Sequence, residues 1–195
     1  MRAHRAARRT CAGHRGCCSA RTKGVRGSYR GALAAQGRVQ QPLLYRLLEH
    51  RYFALPPPKS TGREEFGDQY AVELIAFAAA NGITAPDLLT TATALTVETI
   101  ARAYEAWILP HAPVQTVILG GGGVHNTTLV RRLGERLAPA RLTTNAAFGL
   151  PDDAKEAVAF AILAYETLNG RPSSMPAATG ATGPAILGKI SLSPP

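Results

Sequence analysis

Apolar residues recur every three or four positions between 41 and 108, the spacing of a helix face, and between 114 and 168 short apolar runs alternate with such helical stretches. Leu43, Leu44, Leu47 and Leu48 after Pro42 predict a short helix. Tyr52 and Phe53 then lead into Pro56, Pro57 and Pro58, which fix an extended linker. Thr61 and Glu64 have the spacing of a capping box and predict a helix to about Ala80, ended by Asn81 and Gly82. A second helix is predicted over 86–108, with Leu88, Leu89, Ala92, Leu95, Ile100, Ala103, Tyr104, Trp107 and Ile108 as its core stripe.

The next stretch changes period. A strand over 114–119 runs into four consecutive glycines, Gly120 to Gly123, and a helix opens near His125 and Asn126 and runs to about Leu137. A strand over 141–144 and a helix over 153–168, closed by Gly170, follow. Strand, helix, strand, helix implies an α/β fold with parallel strands, a right-handed crossover and packed helices. The segment from Arg171 is rich in Pro, Ser, Thr and Gly, and its apolar patch at Ala185 to Leu187 is expected to dock a last short segment.

Charge divides the chain. Nine of the 22 basic residues and none of the 13 acidic ones lie in residues 1–30, so the remainder is balanced at 13 against 13. Cys11, Cys17 and Cys18 also lie there, which leaves no disulfide framework for the rest. Low apolar content predicts a disordered arm. A secretory or twin-arginine signal would need an apolar run after Arg8 and Arg9, and none is present. An organellar transit peptide fits the composition better, but without amphipathic periodicity. The His4, Cys11, His14, Cys17, Cys18 set follows no standard zinc spacing. Nucleic-acid binding is disfavoured because no aromatic residue precedes Tyr29 to stack on bases. No apolar run is long enough to span a membrane.

The glycine turn carries the chemistry. Backbone without side chains at a strand tip, leading into a helix N-terminus, lets a flat or anionic ligand approach the main chain. It is not a Walker loop, since Val124, His125 and Asn126 follow the last glycine in place of Gly-Lys-Ser/Thr. Nor is it a dinucleotide fingerprint, since the next strand ends in Thr143, Thr144 and Asn145 with no carboxylate before Asp152. On the motif alone, a packing turn fits as well as a nucleotide site.

Four separated motifs, taken together, go further: Pro57-Pro58-Lys59-Ser60-Thr61-Gly62-Arg63-Glu64; Gly121-Gly122-Gly123 with Asn126; Asp153-Ala154-Lys155-Glu156-Ala157 with Phe160-Ala161; and Thr179-Gly180-Ala181 before Leu187-Gly188. In order and spacing, residues 31–195 resemble the C-terminal half of the anhydro-N-acetylmuramic acid kinases, in the sugar-kinase, heat-shock and actin superfamily. The resemblance implies one lobe of an actin-like (ribonuclease H-like) ATPase fold. It implies a cytoplasmic, ATP- and Mg2+-dependent kinase that converts 1,6-anhydro-N-acetylmuramate to N-acetylmuramate 6-phosphate in peptidoglycan recycling. Gly121, Gly122, Gly123 and Asn126 match the family's adenosine-binding turn, and Glu156 matches the glutamate that contacts the amino sugar. Taken alone, Glu156 is also an ordinary acidic residue in a helix first turn.

The family's Gly-Thr-Ser phosphate loop, and the Asp-Thr-Gly-Pro-Gly-Asn segment whose aspartate activates water, have no counterpart here; the first Asp is Asp68. The isolated chain is therefore expected to be an inactive, N-terminally truncated fragment, with residues 1–30 the product of a frameshift or misassigned start. The competing expectations are a non-catalytic nucleotide-binding lobe, completed in trans by a first lobe or paired as a homodimer, and a basic-armed nucleic-acid binder.

Overall fold

A computed structural model describes residues 29–191. The basic arm expected over 1–30, with its cysteines, thus lies outside the described residues except for its last two. Helix α1 (Gln41–Leu48) has proline in its first turn and buries Leu43 and Leu44. After it, His50 caps α2 (Arg51–Ala54), its ring nitrogen accepting the Tyr52 N–H at 3.3 Å. The predicted helix to Ala80 is divided into α3 (Arg63–Phe66) and α4 (Asp68–Ala80). Gly67 is the break: its backbone is extended, and a Cβ there would lie 2.0 Å from the Arg63 carbonyl oxygen. The capping box does not form, because Gly62 is the N-cap of α3 and no side chain accepts there. The bend brings Phe66 onto Phe53, ring centres 5.4 Å apart and nearly parallel, and places His50 4.9 Å from Phe66. Asn81 and Gly82, the latter at φ 65°, close α4 as expected.

Helix α5 (Ala85–Trp107) is the longest, and it corrects the predicted stripe. Its buried face is Thr90, Thr91, Thr93, Ala94, Val97 and Ala101, whereas Trp107 is 40% exposed. Small side chains let neighbouring backbone come close, and the buried hydroxyls are satisfied locally: Thr91 donates to the Asp87 carbonyl at 2.7 Å and Thr93 to the Leu89 carbonyl at 2.8 Å. Thr90, fully buried, bonds both the Pro86 carbonyl and the Ala34 carbonyl, the latter at 2.7 Å. Asp87 accepts the Arg38 N–H at 2.7 Å and the Gln40 side-chain amide at 3.2 Å, and Thr91 accepts the Gln40 N–H at 2.9 Å. Gly37 sits so near α5 that a Cβ would lie 2.3 Å from the Pro86 carbonyl.

Strands β1 (Thr116–Leu119) and β2 (Arg141–Thr144) pair in parallel, Thr116 opposite Arg141 and Leu119 opposite Thr144. Helix α6 (Thr127–Arg136) connects them and packs on α5. Arg136 fastens the two helices, reaching Glu98 at 3.1 Å and Glu105 at 2.6 Å. Val117 and Leu133 are buried at this junction. Helix α7 (Lys155–Leu168) and the short α8 (Pro176–Thr179) complete an α/β arrangement. The patch at 185–187 does dock: Ser173 N–H donates to the Ala185 carbonyl, and Thr167 Oγ1 donates to the Leu187 carbonyl. Among the described residues, no helix is long and apolar enough to cross a membrane.

Replacing Thr90 by Val leaves the Ala34 carbonyl without its partner, and should lower unfolding free energy in urea by about 1–3 kcal/mol. The Arg38 N–H holds Asp87 below the ordinary carboxylate range, against the opposing effect of burial. A depressed folded value means that its stabilisation is present at neutral pH and lost as pH falls through that value. Asp87→Asn should therefore lower Tm near pH 7 and flatten the decline of Tm on acidification, measured by circular dichroism.

Candidate functional site at the glycine turn

The site forms where β1 ends, and its four glycines do different things. Gly120 is hemmed in: a Cβ would lie 2.1 Å from Asn145 Nδ2 and 3.1 Å from Lys155 Cδ. Gly121 turns the chain at φ 80°, a region that favours glycine, and its N–H donates to the Asp152 carbonyl at 3.1 Å. Around Gly122 no atom lies within 4 Å of a built Cβ, and at Gly123 the nearest is Leu129 Cδ2 at 3.9 Å. Gly121 has the same open surround. The backbone from 121 to 123 therefore borders unfilled space rather than its own neighbours' side chains.

A 3₁₀ turn over Gly122–His125 leads to Asn126, which caps α6 by accepting the Leu129 N–H at 3.0 Å through Oδ1. That oxygen is committed to the helix, so the side-chain NH2 is the part of Asn126 left to meet a ligand. Gly31, at φ 82°, lies directly against it: a Cβ there would come within 1.9 Å of Asn126 Oδ1. Thr128 Oγ1 donates to the Gly31 carbonyl at 2.8 Å and Thr127 Oγ1 to the Arg30 carbonyl at 3.1 Å, which holds this approach.

Beneath the turn runs the loop from β2 to α7. Asp152 Oδ1 accepts the Ala146 N–H at 3.3 Å, and Asp153 Oδ1 lies 3.0 Å from His125 Nε2. The His125–Asp153 contact is solvent-exposed and contributes little by itself. Glu156 lies in the first turn of α7, exposed, with no hydrogen bond or ion pair among the described residues. Gly121, Gly122, Gly123 and Asn126 thus form one continuous edge, and Glu156 is joined to it through Lys155, whose stem runs along Gly120. Among the described residues, no three His, Cys, Asp or Glu side chains gather as a metal cage. These residues do not make a Mg2+ site on their own, and none is assigned to the ion.

Two contributors, Asn145 and Lys155, are missing from the sequence-based site. For Asn145 the signal lies in the strand register: with Leu119 opposite Thr144, the next residues out, Gly120 and Asn145, meet at the carboxyl end of the pair, where α/β folds bind ligands, whereas Lys155 arrives from the start of α7. The other motifs sort differently. Lys59 Nζ donates to the Tyr52 and Phe53 carbonyls at 3.0 and 3.3 Å, closing the end of α2. Gly180 comes to within 3.6 Å of Pro58 Cγ, as measured from a built Cβ, so the proline motif and the tail motif meet.

Comparison with known proteins places this geometry. The family model for anhydro-N-acetylmuramic acid kinase matches residues 20–193. The chain is 46% identical over 162 residues to the anhydro-N-acetylmuramic acid kinase of Caldanaerobacter subterraneus subsp. tengcongensis, covering 83% of this chain and 41% of that protein. It is 40% identical over 165 residues to the enzyme of that name from Salinibacter ruber, covering 85% and 42%, and 45% identical over 162 residues to that of Acaryochloris marina, covering 83% and 42%. All three relatives are named as kinases. The chain belongs to the anhydro-N-acetylmuramic acid kinase family. It spans about two fifths of the length of these relatives.

The unequal glycines give a direct test. Gly121→Ala forces an L-residue into a positive-φ, extended-ψ conformation (φ 80°, ψ −177°) that is essentially confined to glycine, and should cost about 1–3 kcal/mol of stability. Gly122→Ala meets nothing and should stay within about 0.5 kcal/mol of the parent in the same urea titration.

Proposed function

We propose that this polypeptide is the nucleotide-facing lobe of an ATP- and Mg2+-dependent kinase with an actin-like fold. The reaction is that of the family: water adds at C1 of 1,6-anhydro-N-acetylmuramate, the anhydro bond opens, and O6 takes the phosphoryl group, giving N-acetylmuramate 6-phosphate for peptidoglycan recycling in the cytoplasm. The observation that supports this reading is the solvent-open space beside the bare backbone of Gly121 to Gly123 at the carboxyl end of β1. In it the adenosine lies against bare backbone, Asn126 offers its NH2, and Glu156, exposed and unpaired among the described residues, accepts hydroxyl groups of the sugar. Magnesium is held mainly by phosphates and water in such sites.

Chemistry on this lobe alone should be negligible. Phosphoryl transfer rests on positioning and on charge stabilisation around the phosphates, and the 195 residues contain no counterpart of the family's phosphate loop or of its water-activating aspartate.

A second reading, completion by another polypeptide, is favoured by the apolar surface. Helix α7 has no buried residue, with Phe160 69% and Leu168 71% exposed, and Ile118 on β1 is 51% exposed. A helix apolar on all sides normally lies within a core. The remaining part of the family's length, in the same chain or supplied in trans, would cover it; a homodimer is the alternative cover.

Gly122→Leu places a bulky side chain at a position where a built Cβ meets no atom within 4 Å. It should preserve the circular dichroism spectrum and weaken ADP binding at least about tenfold in isothermal titration calorimetry; unchanged affinity would remove the nucleotide from this turn. With ATP, Mg2+ and the anhydro-sugar, the isolated chain should turn over at least about a hundredfold more slowly than an intact family enzyme, the usual scale for loss of a general base. Adding a separately expressed first lobe should restore turnover if completion occurs in trans.

A further inference from the structure

We propose that Lys155, flanked by Asn145, is the group that grips the phosphate chain of the nucleotide lying on the glycine turn. The proposal rests on the nucleotide reading of that turn. Both side chains close over Gly120, at 3.1 Å (Lys155 Cδ) and 2.1 Å (Asn145 Nδ2) from a built Cβ. Beyond Gly120 the turn opens into the unfilled volume beside Gly121 and Gly122.

Electrostatics single out the lysine. Lys155 is the first residue of α7, where the helix dipole presents its positive end and disfavours a cation. The nearby carboxylates, Asp152, Asp153 and Glu156, form no ion pair with it among the described residues. Asp152 Oδ1 accepts the Ala146 N–H, and Asp153 Oδ1 faces His125. Glu156 is the next residue along, and adjacent positions on a helix do not face each other. Three and four positions on stand Val158 and Ala159, which offer no charge. Neither the Lys155 ammonium nor the Asn145 amide has a hydrogen-bond or ion-pair partner among the described residues. The ammonium is exposed to solvent beside an amide donor and the open turn, where an anionic group of a ligand on that turn can meet it.

Sequence order adds the direction. Lys155 stands between the glycine turn, which its stem touches, and Glu156, the proposed sugar contact. A phosphate chain running from adenosine toward the sugar passes this ammonium, which can hold charge on the group being transferred. Lysine acts here as a point charge with three donors, a role arginine can fill in part.

The test compares adenosine with ADP on the full chain by isothermal titration calorimetry, for the parent, Lys155→Ala, Lys155→Arg and Asn145→Ala, each checked for folding by circular dichroism. Lys155→Ala should weaken ADP by roughly ten- to hundredfold, leave adenosine unchanged, and be partly rescued by arginine. Asn145→Ala should show the same selectivity at smaller size. Equal loss of both ligands, or loss of neither, would overturn the phosphate role while leaving the glycine turn as a nucleoside site. A parent chain that binds neither adenosine nor ADP would overturn the nucleotide reading and this proposal with it.

Discussion

The first two turns of α5 hold the backbone of residues 34–40 by hydrogen bonds, and the site depends on that grip. Thr90 takes the Ala34 carbonyl, Asp87 the Arg38 N–H, and Thr91 the Gln40 N–H. A segment fixed there reaches back to α6, where Thr128 and Thr127 bond the carbonyls of Gly31 and Arg30. Gly31 in turn has room only for a hydrogen beside Asn126. The start of α6, and with it the exit of the glycine turn, is thus braced from a helix distant in sequence through polar contacts. Buried polar groups cost stability unless paired, so a chain of satisfied ones specifies a single arrangement.

The apolar core is slight by comparison. Its buried members are Ala34, Ala78, Ala94 and Ala101, which contribute little area, alongside Leu43, Leu44, Val97, Val117 and Leu133 among the described residues. Larger apolar side chains stand outside: Phe148, Phe160, Ile162 and Leu168 are all exposed. Burial scales with area removed from water, so these side chains have stability to give only when something covers them.

Sequence pattern reached the elements wherever one local rule acts alone. The strand over Arg141–Thr144 and the closing of α4 at Asn81 and Gly82 depend on short-range preferences, and both form as expected. The pattern failed where two rules compete. Thr61 and Glu64 carry the capping spacing, yet Gly62 takes the cap and Gly67 breaks the helix, because the chain must bend to stack Phe66 on Phe53. On α5 the large apolar residues drew the eye to the wrong face. Close approach by the 34–40 backbone selects small threonines and alanines there, a preference set by tertiary contact rather than by hydropathy. At the glycine turn, the order of residues along the chain marks the glycines and Asn126 as candidates, but the approach of Asn145 and Lys155 to Gly120 is a tertiary contact, set by the strand register for Asn145 and by the packing of α7 for Lys155.

The glycine run is therefore three devices in one motif: a space for a neighbour at 120, a pivot for the chain at 121, and a stretch at 122 and 123 that the fold leaves uncovered. These answer to different pressures. Folding alone holds glycine at 120 and 121 but leaves 122 and 123 free to drift, so the pattern of tolerated residues across the four positions separates what the fold demands from what anything outside it demands.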